Sequence, residues 1–146
     1  MFKGGTSLSK VWKVIHRFSE DIDLAIDPSI WGFEGDLTKK QIKRLRKASS
    51  IFVRDEFCHS LQEAVSETGM EKWLQVEADP GGEGDGTYPE PRMICICYKS
   101  LFDEDLPYLH SEVKLEVSAR SLLEPTAEAA VTSILEDALP ISTTVK

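Results

Sequence analysis

Asp21 and Asp23 stand two residues apart in Asp21-Ile22-Asp23-Leu24-Ala25-Ile26, a stretch where charged and apolar residues alternate at its start. Residues i and i+2 of an extended strand project from the same side, so the two carboxylates form a paired anionic edge. Upstream, Gly4 and Gly5 precede Thr6, Ser7 and an apolar series of Leu8, Val11, Trp12 and Ile15 at helical spacing. A glycine bend that opens a helix offers free N–H groups and the positive end of the helix dipole, a combination that binds phosphate. Hard carboxylate oxygens suit Mg²⁺ (or Mn²⁺), which is held by a few carboxylates together with substrate phosphates. The two blocks together point to polyphosphate chemistry.

A third carboxylate is available in Glu112-Val113-Lys114-Leu115-Glu116-Val117-Ser118, the strongest strand pattern of the second half. Lys114 and Glu116 share one face of that strand. Glu116 is the candidate third acid, with an exposed strand carboxylate as the competing reading. Lys10 lies about one turn beyond the glycines and either reaches a phosphate or is a solvated helix residue. Arg17 divides evenly between a phosphate contact and a salt bridge. Glu20 points away from Asp21 in an extended chain and is left outside the site.

These side chains need elements to hold them. The spacing predicts a helix from Thr6 to about Arg17, a half-buried strand over 21–26 ending at Asp27-Pro28, and a loop over 28–36. A long helix is expected from Thr38 to Thr68 with Gly69 past its end. Strands follow at 73–78 and 93–98, with a glycine-rich connection at 79–86 and a polar turn at 103–107. Residues 126–139 carry a weak helical signal between Pro125 and Pro140, and 141–146 a possible strand. Helices interleaved with strands imply an α/β or α+β fold, a mixed sheet flanked by helices.

At 146 residues, with 41% hydrophobic residues, the chain is one domain's worth of sequence. Its formal charge of −8 argues against indiscriminate adhesion to nucleic acid or membrane by the whole molecule. Against that background Lys39, Lys40, Lys43, Arg44, Arg46 and Lys47 crowd into one stretch. Such a run is either a solvated helix face or an electropositive ridge for a phosphate backbone. No aromatic residue interleaves it. Cys58, Cys95 and Cys97 make neither an even framework nor a CxxC pair, and read as packing residues. His16, His59 and His110 share no metal-ligand spacing, and Trp12, Trp31 and Trp73 read as packing or loop anchors. No apolar run reaches the ~20 residues a membrane helix needs, and no signal-peptide pattern precedes the glycines. A cytoplasmic, reducing location is expected.

The wording FKGGTSLSK…RFSEDIDLAID resembles the DNA polymerase β-like nucleotidyltransferase superfamily, and within it the AbiEii/AbiGii abortive-infection toxins of bacteria. The resemblance covers nearly the whole chain and implies a polymerase β-like core occupying residues 1–146. It also implies a metal-dependent transfer of NMP from an NTP to a hydroxyl acceptor, either RNA such as tRNA or a protein, within a toxin–antitoxin or phage-defence system. In that reading Gly4, Gly5, Thr6 and Ser7 meet the phosphates, aided by Lys10 and Arg17. Asp21, Asp23 and Glu116 hold metal, and Lys114 neutralises phosphate or orients the acceptor. A cognate antitoxin is the implied protein partner. Relatives carry helical parts before and after this core, so a fragment of a longer protein, or a catalytically incomplete partner-binding remnant, is the alternative. A kinase-like phosphotransferase using the same acidic pair is a third reading.

Overall fold

The computed structural model describes residues 1–15, 21–79, 88, 92–100, 111–119 and 126–132. The expected turn at 103–107, the strand at 141–146, Arg17, His16 and His110 lie outside the described residues.

Among the described residues, four strands form one mixed sheet in the order β1-β4-β3-β2. They are β1 (Asp21–Ala25), β2 (Leu74–Ala78), β3 (Arg92–Tyr98) and β4 (Glu112–Ser118). β1 runs parallel to β4, whereas β4–β3 and β3–β2 are antiparallel. The fold is therefore α+β, as the alternation of elements implies.

Period-two patterning divides the sheet into two unlike faces. Ile22, Leu24, Leu115, Val117, Ile94, Ile96 and Val76 fall on one side by register. Val53, Cys58, Val76, Ile94, Leu115 and Val117 form the buried core there, with Phe52, Phe57, Leu61 and Val65 packed against it. Asp21, Asp23, Lys114, Glu116, Met93, Cys95 and Glu77 fall on the other side. Cys58 thus packs as expected, but Cys95 and Cys97 are only half-buried and face away from the core. On their strand Arg92 and Ile94 are buried, and Ile96 on the same side is half-buried.

The long helix is one helical run in three parts. α2 (Lys39–Ile51) begins at Thr38, whose side chain and that of Gln41 cap each other's backbone N–H groups. A π-helical segment, Phe52–Phe57, leads into α3 (Cys58–Glu67), and Gly69 follows in the left-handed region. The wider turn sets Phe52 and Phe57 parallel at a centroid separation of 6.3 Å, with Trp31 edge-on to Phe52 at 5.7 Å.

The first helix differs from expectation. A single α-turn (α1, Gly4–Thr6) widens into a π-helical segment, Ser7–Val11. It starts two residues early and stops well short of Arg17. Lys13 takes φ 52°, and the Val14 N–H donates to the Leu8 carbonyl at 3.0 Å, which closes the helix. Trp12 is 59% exposed and Leu8 is exposed too, so the apolar stripe read from spacing is not a core face among the described residues. Trp73 is likewise exposed and lies under the Lys99 ammonium, 5.7 Å from its ring centroid. Residues 126–132 are not helical, and the rest of the expected helix, 133–139, lies outside the described residues.

Candidate active site

Residues 1–3 run antiparallel along the free edge of β1. The Lys3 N–H donates to the Asp23 carbonyl at 3.0 Å, the Ala25 N–H donates to the Met1 carbonyl at 2.8 Å, and Phe2 bridges Leu24. This short ladder delivers the next residue, Gly4, directly against the Asp23 side chain. A Cβ on Gly4 would collide with Asp23 Oδ2 and stand 2.9 Å from Cγ. Gly4 also has φ 56°, a conformation that side chains with a Cβ rarely adopt. Two independent requirements thus fall on one glycine: the bend and the close approach of a carboxylate.

Thr6 secures the other end of the junction. It is 8% exposed, and its hydroxyl donates to the Asp21 carbonyl at 3.0 Å. That hydroxyl, expected to meet phosphate, ties the helix start to β1. Ser7, whose N–H donates to the Lys3 carbonyl at 3.2 Å, leaves its side chain as the remaining hydroxyl candidate. The N–H groups of Gly4, Gly5 and Thr6 occupy the first turn, where no intrahelical acceptor exists.

The parallel register completes the arrangement. Asp21 is opposite Lys114 and Asp23 is opposite Glu116, on strands about 4.8 Å apart. All four side chains therefore leave the sheet on one face. Lys114 Nζ lies 3.2 Å from Glu112 Oε1, two residues back on the same strand face. This pairing, then the Glu112 charge and that of Asp21, holds the Lys114 ammonium above the ordinary lysine range. Glu112 was overlooked in the sequence, although the Glu-x-Lys-x-Glu alternation of 112–116 contained the signal. Lys10 sits in the last turn of the π-helical segment, at the opposite end of that helix from the glycines.

Asp21 and Asp23 are chemically suited to a divalent ion: both are hard oxygen donors on one face, beside first-turn amides able to take phosphate. Mg²⁺ needs only one or two carboxylates when phosphates supply other oxygens. Glu116 stands differently. Among the described residues no three His, Cys, Asp or Glu side chains are gathered to hold a metal between them. Glu116 shares the face without joining the aspartates in a three-carboxylate cluster.

A mixed α+β sheet with a glycine-started helix docked on its Asp-x-Asp strand defines a small nucleotidyltransferase-like core. The whole chain, residues 1–146, matches the model of the nucleotidyl transferase AbiEii toxin of type IV toxin–antitoxin systems, and it belongs to that family. Neither the curated proteins nor the solved structures yield a match. The family is one of nucleotidyltransferase toxins and implies an antitoxin as partner. Among the described residues no helix is long and apolar enough to cross a membrane.

Proposed function

We propose that the chain transfers a nucleoside monophosphate from an NTP to a hydroxyl acceptor on RNA or protein, with Asp21 and Asp23 at the centre of the reaction. The observation that carries this reading is the apposition of Gly4 to the Asp23 carboxylate, which puts anion-binding amides and metal-binding oxygens side by side. The first-turn N–H groups of Gly4, Gly5 and Thr6 bind the β- and γ-phosphates, with the Ser7 hydroxyl beside them. Asp21 and Asp23 would hold Mg²⁺, which would supply charge neutralisation at the phosphates and Lewis-acid polarisation of the transferring group.

The acceptor oxygen bonds to the α-phosphorus, the bridge to the β-phosphate breaks, and pyrophosphate carries away the electron pair. Glu116 takes the acceptor's proton. Lys114, paired with Glu112 on the same strand face, offsets charge on the transferring phosphate. No covalent enzyme intermediate is required, because phosphoryl-type transfer depends on positioning and charge neutralisation.

Transfer from labelled NTPs to cellular RNA or lysate protein in Mg²⁺ tests the reading. Asp21→Asn and Asp23→Asn should each lower incorporation by roughly 10²-fold or more, the usual scale for losing one preorganised electrostatic contact. Undiminished incorporation in both variants refutes the site. The alternative is a catalytically incomplete, partner-binding remnant; NTP·Mg²⁺ binding by calorimetry that requires Asp21 counts against it.

A further inference from the structure

The exposed face of α2 carries a charge distribution that folding does not account for. Lys39, Lys40, Lys43, Arg44 and Lys47 are all exposed. Lys39, Lys43 and Lys47 stack at four-residue steps, and Lys40 and Arg44 run beside them, so the five cations form one stripe. Arg46 is set apart: it is half-buried and donates to the Tyr88 carbonyl at 2.5 Å.

Within that stripe every four-residue neighbour carries a like charge (39 with 43, 43 with 47, 40 with 44), and each such pair destabilises a helix. Lys39 and Lys40 also occupy the first turn, where the helix dipole is already positive and no acidic residue is present. Among the described residues, none of the five takes part in an ion pair. The same helical run pairs its charges further along, Arg54 with Asp55 at 2.6 Å and His59 with Glu63 at 3.3 Å. The remainder of the chain is more acidic than the whole, since this segment removes six of 17 basic residues and none of the 25 acids.

We infer that this stripe is a docking surface for the sugar–phosphate backbone of a nucleic acid. Charge complementarity selects an anionic partner. The composition of the stripe selects among anions: from Lys39 to Lys47 no apolar or aromatic side chain is exposed, the first being Ile51 one turn past the last cation, whereas protein interfaces are anchored by aromatic and apolar residues and are depleted in lysine. A lipid surface would likewise require apolar residues to insert beside the cations. Phosphates along a strand need only point charges on flexible stems, and without interleaved aromatics the contact is to backbone rather than bases. The surface stands on α2 alone; that the bound strand is also the acceptor rests on the transfer reading above.

Fluorescence anisotropy of the full chain with a labelled RNA stem-loop, without NTP or Mg²⁺, tests this. Neutralising about five phosphates should weaken binding roughly 10²-fold between about 50 and 200 mM salt. The triple variant Lys39→Gln, Lys43→Gln, Lys47→Gln keeps helix-compatible side chains and should lower the slope of log affinity against log salt by about 2. Equal removal of charge elsewhere, by Lys13→Gln, Lys72→Gln and Lys99→Gln together, should leave that slope in place. Circular dichroism confirms that the variants fold. Asp21→Ala should bind the stem-loop as the parent chain does, which separates this surface from the nucleotide site. The inference is overturned if the parent chain does not bind at about 50 mM salt. It is equally overturned if the stripe variant keeps the parental affinity and slope, or if labelled poly-glutamate binds more tightly than RNA.

Discussion

Gly4 and Asp23 touch: the glycine Cα leaves no room for a Cβ beside the aspartate carboxylate. Residues 19 apart in the chain are held together because the Lys3 N–H is bonded to the Asp23 carbonyl. Position 4 therefore constrains the acidic strand as well as the bend.

Gly4→Ala should both strain the backbone at φ 56° and displace the Asp23 carboxylate. The left-handed conformation alone costs a residue with a Cβ about 1–2 kcal/mol. Gly5 does not have positive φ, so Gly5→Ala should be much milder. Urea unfolding gives the stability difference, and calorimetry with NTP·Mg²⁺ should show weaker binding for the variant at 4 than for the variant at 5. Equal behaviour of the two would show that the apposition is not needed.

Thr6→Val keeps the shape of the side chain but removes the donor that satisfies the Asp21 carbonyl. The loss of one largely buried hydrogen bond should cost about 1 kcal/mol. Hydrogen exchange should show faster opening of residues 4–11 while β3 keeps its protection. Unchanged exchange would mean that the terminal ladder of residues 1–3 alone holds the helix.

The Glu112–Lys114 pair has a defined pH signature. Because the Lys114 value is raised in the folded state, the pair's stabilisation is fully present below the ordinary lysine range and is lost as pH climbs through the raised value. Neutral and mildly alkaline solution should leave it intact. Glu112→Gln should move the Lys114 titration, followed by NMR of its ε-carbon, back toward the ordinary range; Asp21→Asn should move it less. An unmoved titration in Glu112→Gln would remove Glu112 as the group that positions the lysine.

Ile94 is fully buried at the middle of the sheet, between Leu115 and Ala78 in register. Ile94→Ala should destabilise the fold by about 2–4 kcal/mol through lost burial and the cavity left behind. Cys95→Ala, on the half-buried opposite face, should cost far less. Guanidinium denaturation of both variants measures the contrast between the two faces.

Much of the frame was legible because local rules wrote it. Thr38 marked the start of α2, Gly69 marked the end of α3, and alternation placed β1 and β4 within a residue or so. The widening of both helices into π turns was not legible, since i→i+5 bonding has no residue signature and depends on what the side chains meet. The end of the first helix at Val11 was missed for a related reason. Leu8, Val11, Trp12 and Ile15 keep helical spacing whether or not the backbone follows it, and Lys13 adopts a left-handed conformation that nothing in its type foretells.

What the chain by itself determined is the inventory and its local geometry: two aspartates on one side of a strand, glycines able to bend, and a Lys-x-Glu pair on another strand. Which strands would be neighbours, and in what register, was decided only by tertiary structure. The apolar residues of β1 and β4 must bury themselves against the helices together, and a one-residue slip would turn Ile22 and Leu24 outward. That burial sets Asp21 beside Lys114 and Asp23 beside Glu116 on the opposite face. Among the described residues, the same packing left Glu116 outside any three-carboxylate cluster and gave the Thr6 hydroxyl to a backbone carbonyl, because those distances depend on the whole sheet rather than on any one segment.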